Sequence, residues 1–96
     1  MTLQATITEQ KGSLVVSGNL NFFTVVDLWR SSLSLFINKT ALIFDFSQVT
    51  SANSAGLALL LAWQRYAKSH GQSISFDHMP AQLISIAGVA GIQKML

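Results

Sequence analysis

Ninety-six residues are enough for one core without staples, and a chain with no cysteine can form neither a disulfide framework nor a thiolate metal site. Half of the residues are hydrophobic and 10% are charged, against roughly a quarter in an average globular domain, so some apolar surface is expected to meet a partner. The net charge of +2 rests on the scattered Lys11, Arg30, Lys39, Arg65, Lys68 and Lys94, which excludes the basic stripe of a nucleic-acid surface.

Leu3, Ala5 and Ile7 alternate with polar neighbours, and Lys11-Gly12 turns the chain into Leu14 to Ser17, the pattern of an opening β-hairpin. After a break at Gly18-Asn19, the stretch 24–37 places Val25, Leu28, Trp29, Leu33, Phe36 and Ile37 at helical spacing. Asp27, Arg30, Ser31 and Ser34 fall opposite, which predicts an amphipathic helix. Ala41 to Phe46 is a continuous apolar run, expected to be a strand buried on both faces. Small and polar residues follow as a loop, and a helix runs from about Ser54 to His70, stopped by Gly71. Ser73 to His78 alternates as another strand. Pro80 then suits the first turn of a helix that ends near Gly88, and the apolar segment 89–96 is expected to pack back on the core.

The order β-β-α-β-α-β-α predicts an α/β fold in one domain spanning 1–96, with a mixed four-stranded sheet whose later strands are parallel across crossover helices. The amino terminus lacks the order of a secretory signal, and the longest apolar run, Ala55 to Trp63, is far short of the roughly 20 residues that span a bilayer. A cytoplasmic chain without direct membrane insertion is expected.

The helix that starts at Ser54 raises a question of placement. At 100° per residue, Leu60, Ala67, Gly56, Trp63, His70, Leu59 and Tyr66 share one arc, which should face the sheet. The opposite arc is polar in the second half, with Gln64, Arg65, Lys68 and Ser69, but carries Ser54, Leu57, Ala58 and Leu61 in the first. Either a neighbouring helix or the carboxy-terminal segment covers these leucines, or they form an apolar docking patch. Ser54 has two readings as well. It or Asn53 caps the helix, or its hydroxyl belongs to the contact.

Catalytic alternatives are weak. Ser54, His70, His78, Asp45 and Asp77 supply the residue types of a serine hydrolase, but His70 lies about 24 Å along the same helix from Ser54. No nucleophile elbow is present, the two histidines lack metal-ligand spacing, and there is no phosphate-binding loop. No cofactor or metal is expected, and Trp29 and Trp63 read as core.

The residues DFSQVTSANSAGLALLL, within this element order, resemble the STAS domain, the family of the sporulation anti-anti-sigma factors. The likeness covers essentially the whole chain and is most specific at Asp45, Ser47, Val49, Ser54, Gly56 and Leu57. Asn53 stands where that family usually has Asp, and the free-standing form with its GLALLL helix resembles the MlaB-like kind. The resemblance implies a non-enzymatic accessory module. It would bind the MlaF-like ATPase subunit of an ABC-type phospholipid-transport complex that maintains outer-membrane lipid asymmetry, and be held at the inner membrane through that transporter. The implied partner-binding residues are Asn53, Ser54, Ala55, Leu57, Ala58, Leu61 and Arg65. The alternative it implies is an anti-anti-sigma factor regulated by phosphorylation of Ser54. Asn53 in place of the family's Asp favours a constitutive contact.

Overall fold

The computed structural model describes residues 4–89, and its opening follows from a single turn. Lys11 and Gly12 take φ of 51° and 84°, the paired left-handed conformations that close a two-residue hairpin. They join β1 (Ala5–Gln10) to β2 (Ser13–Leu20) in antiparallel register, with Ala5 opposite Gly18 and Gln10 opposite Ser13. Then come α1 (Val25–Leu33), a 3-10 turn over Ser34–Phe36, β3 (Ala41–Ala52), α2 (Ser54–Ser69), β4 (Ser73–Asp77) and α3 (Ala81–Val89). This is the expected α/β order.

Among the described residues the strands form one mixed sheet in the order β1-β2-β3-β4, with β2, β3 and β4 parallel. Because β2 to β3 and β3 to β4 step in the same direction, two right-handed crossovers lay α1 and α2 on the same face. The other face is left open. Along β3, Leu42, Phe44 and Phe46 are buried, whereas Ala41, Ile43 and Ser47 are exposed. The expectation that Ala41 to Phe46 is covered on both faces therefore fails: the sheet has one helical layer, and its bare side is dressed with Thr6, Thr8, Ser17, Ser47, Ser73 and Ser75.

β3 also runs further than its apolar stretch. The small and polar residues after Phe46, read as a loop, continue the strand because β2 is long enough to pair with them: Ser17 with Gln48, Gly18 with Val49, Asn19 with Ser51 and Leu20 with Ala52. Only Asn53 separates β3 from α2.

The core lies between the sheet and the helices. Trp63, fully buried, stacks on Phe44 with ring centroids 4.4 Å apart, and Phe36, Phe46 and Phe76 close around them. Its indole N–H donates to Ser32 Oγ at 3.0 Å, and Ser32 donates onward to the Trp29 carbonyl at 2.7 Å, so α1 and α2 are joined by a satisfied buried polar chain. Of the predicted inner face of α1, Leu28 and Phe36 are buried and Val25, Trp29 and Leu33 half-buried. Ile37 is 64% exposed, because the helix has already tightened and ended by Phe36. α2 stops as predicted. Gly71 takes φ 67°, its N–H bonds to the Lys68 carbonyl, and the N–H of Gln72 reaches the Ala67 carbonyl, a Schellman ending. The expected return of the segment beyond 89 lies outside the described residues.

Candidate functional site

Two parallel strands end side by side, and the candidate site is built on their ends. Leu20 of β2 pairs with Ala52 of β3, and the N–H of Asn53 donates to the Leu20 carbonyl at 3.0 Å. The start of α2 and the β2–α1 turn are thereby held together. Ligand sites of open parallel sheets collect at this carboxyl end of the strands.

Asn53 is the N-cap: its Oδ1 accepts the N–H of Ala55 at 2.8 Å. This settles which of the two polar residues caps the helix. Ser54 is exposed, and its hydroxyl has no hydrogen-bond partner among the described residues. No acid occupies the first turn of α2, so its remaining open N–H groups keep their partial positive charge.

The predicted patch is redistributed. Leu57 is only 5% exposed and belongs to the core, and Ala55 is buried too. A wheel drawn on α2 alone puts Leu57 outside the sheet-facing arc, about 60° beyond Leu60. α3 widens that arc by packing on the start of α2, where Leu83 approaches Gly56 closely enough that an added Cβ would lie 3.3 Å from Leu83 Cδ2. Leu57 is thus sealed into the core instead of facing water. Ala58 and Arg65 are exposed, and Leu61 is half-buried.

The larger apolar surface lies on the other flank of α2. A groove of about 290 Å³ runs between α1 and α2, lined by Phe22, Val26, Trp29, Ala58, Leu59 and Ala62 among others. Phe22 is 70% exposed, and its neighbour Phe23 is 91% exposed. A knot of hydrogen bonds holds the turn that carries them. Asn21 Oδ1 accepts from Phe23 N–H at 2.8 Å, Thr24 Oγ1 accepts from Asn21 N–H at 3.0 Å, and Thr24 Oγ1 donates to the Asn19 carbonyl at 2.7 Å. Sequence reasoning assigned no role to Phe22 or Phe23, which lie between periodic segments. The available signals were two adjacent aromatics in a turn and a shortage of charge. Trp29, expected in the core, is half-buried on the groove wall and meets Tyr66 edge-on at 6.2 Å.

The residue types of a hydrolase are not assembled. His78 Nδ1 lies 3.1 Å from Asp45 Oδ1, and Asp45 is seven positions before the end of β3, roughly 23 Å along the strand from its end. His70 stacks on Tyr66 at the far end of α2. Neither imidazole meets Ser54. The N–H of Ser47 donates to Asp45 Oδ1 at 2.8 Å, and this bond, aided by the Ser47 side chain and by His78, holds the carboxyl below its ordinary value. Among the described residues no three His, Asp or Glu side chains gather to hold a metal, and no helix is long and apolar enough to cross a membrane.

A family model described as "Mlab, STAS domain" matches residues 3–96. No curated protein matches the chain.

Proposed function

Since this chain belongs to the STAS domain family, whose members are generally non-catalytic binding modules, we propose that it binds and supports the ATPase subunit of an ABC-type phospholipid-transport system. The observation that carries this reading is the apolar surface at the strand ends. Phe22, Val26 and Ala58 lie bare beside an exposed Ser54 whose hydroxyl has no partner among the described residues. Contiguous apolar surface of this kind marks contact sites, and a charge-poor chain has little else with which to hold a partner. In this reading Phe22 and Val26 supply affinity together with Ala58 and Leu61. Asn53 shapes the helix start, Ser54 fixes register by hydrogen bonding, and Arg65 lies at the rim. The partner provides all nucleotide chemistry, and the module resides in the cytoplasm, peripheral to the inner membrane through the transporter.

The test is co-purification with an MlaF-like ATPase. Ser54→Arg and Leu61→Asp abolish capture while circular dichroism stays native, and Phe22→Ser weakens it by roughly 2 kcal/mol, about thirtyfold in Kd. Full binding by all three variants would remove this surface from consideration. The exposure of Ser54 also favours a second reading, an anti-anti-sigma factor switched by phosphorylation. A phosphate there would suit the helix end while disrupting an apolar contact. Incubation with ATP and an anti-sigma kinase gives phospho-Ser54 only under that second reading.

A further inference from the structure

A second groove lies on the opposite flank of α2, over the open edge of the sheet. It measures about 360 Å³ and is lined by Leu61, Gln64, Arg65, Lys68 and Ile74. Positions 61, 64, 65 and 68 form one stripe of α2 by their spacing, and Ile74 comes from β4. The floor is therefore apolar and the wall cationic. Neither Arg65 nor Lys68 has an ion-pair or hydrogen-bond partner among the described residues. The acids lie elsewhere: Glu9 pairs with Lys39, Asp45 is held by Ser47 and His78, Asp27 lies on α1, and Asp77 follows Ser73 and Ser75 on the open face of the sheet.

Among the described residues the strand beside this groove has no partner on its outer side. β4 ends the order β1-β2-β3-β4, and the N–H of Ser73 donates inward to the Thr40 carbonyl. In a strand, main-chain groups alternate between the two neighbours, so the N–H and C=O of Ile74 and Phe76 point outward. They find no acceptor or donor among the described residues. Such a row is a template for an added strand.

We infer that this groove and the β4 edge together form a docking site for an extended acidic segment of a partner protein, distinct from the α1–α2 surface. Main-chain bonds to Ile74 and Phe76 would give it the course of a fifth strand. Alternate side chains of that strand face the helical layer, so an apolar one settles over Leu61 and Ile74 while an acidic one two positions away meets Arg65 and Lys68. Charge complementarity selects an acidic segment over a basic one, and the edge selects an extended peptide over a helix.

The experiment titrates the isotope-labelled full chain with a capped six-residue peptide, Thr-Glu-Thr-Val-Thr-Glu, whose glutamates and valine share one face of an extended strand, followed by NMR. Amide shifts centred on Ile74 and Phe76 are expected, with an affinity that falls as salt rises. Arg65→Glu combined with Lys68→Glu weakens binding roughly tenfold or more, as does replacing the peptide glutamates with lysine. If the double variant does not give a native spectrum, Lys68→Gln alone carries the comparison, with a loss of about two- to fivefold. No shifts at millimolar peptide, shifts confined to the surroundings of Phe22, or an affinity indifferent to Lys68 would each overturn the site. So would binding of phosphatidylglycerol vesicles through Arg65 and Lys68 without any peptide binding, which would assign the groove to a lipid surface. Leu61 and Arg65 border both surfaces, so the two readings are separated by residues that belong to one alone: failure here leaves capture of the ATPase through Phe22 and Ser54 intact, and loss of capture in Phe22→Ser or Ser54→Arg leaves peptide binding at Lys68 and Ile74 unchanged.

Discussion

Ser32 shows how much one small residue can determine. It sits fully buried on a helix whose hydrophobic spacing ignores it, and it accepts the indole N–H of an equally buried Trp63. Ser32→Ala removes that acceptor and leaves a donor without a partner in the core, which costs about 1–3 kcal/mol in urea unfolding. In a Trp63→Phe background the same change costs less than half as much, because the orphaned N–H is gone. Asp45 makes a different kind of statement. Its carboxyl is stabilised as the anion chiefly by the Ser47 N–H, so its folded pKa lies below the unfolded value and its contribution to stability is complete above that value. That contribution disappears as pH falls below the ordinary carboxyl value of 3.8. Acid titration of wild type against Asp45→Asn checks this: the difference between them shrinks in that window, and an unchanged difference would contradict the assignment. The burial of Ser32 could not be read from the sequence, because its partner lies thirty-one positions away on another helix.

Among the elements, the hairpin, the end of α2 and the helical order were legible, since each depends on local chemistry: Lys11-Gly12 at the turn and Gly71 at the cap. β3 was legible only in half. Phe46 marks the end of its apolar run, and the rest of the strand exists because β2 presents partners for it, a non-local cause that no window of sequence contains. The same pairing gives Gly18 its role. It adopts φ 94° beside a register shift, and a Cβ there would collide with the Gln4 carbonyl of β1's approach. Gly18→Ala is therefore expected to destabilise by about 2 kcal/mol or more, where an ordinary strand glycine would gain from the change. Thermal unfolding reads the difference directly, and an unshifted midpoint would show that the strand absorbs the methyl group.

For the whole molecule, strand order dictates the distribution of surfaces. Consecutive crossovers in one direction put every helix on one side, so the serine- and threonine-rich face needs no cover and the apolar surfaces concentrate around α2. This explains which part of the candidate site could be foreseen. Ser54, Asn53, Ala58 and Arg65 lie on the helix that drew attention, and all are accessible. Leu57 was misplaced because it belongs to the core on a helix against which α3 packs, and Phe22 and Phe23 were missed because a turn has no periodicity to betray which side chains it holds outward.

The turn between β2 and α1 also bears on the speed of recognition. Its two phenyl rings project from a backbone already fastened by Asn21 and Thr24. Little main-chain freedom remains to be surrendered when a partner arrives. Thr24, buried and out of a partner's reach, then governs how quickly an encounter becomes a complex, since loosening the turn reintroduces a search that the free protein has already completed.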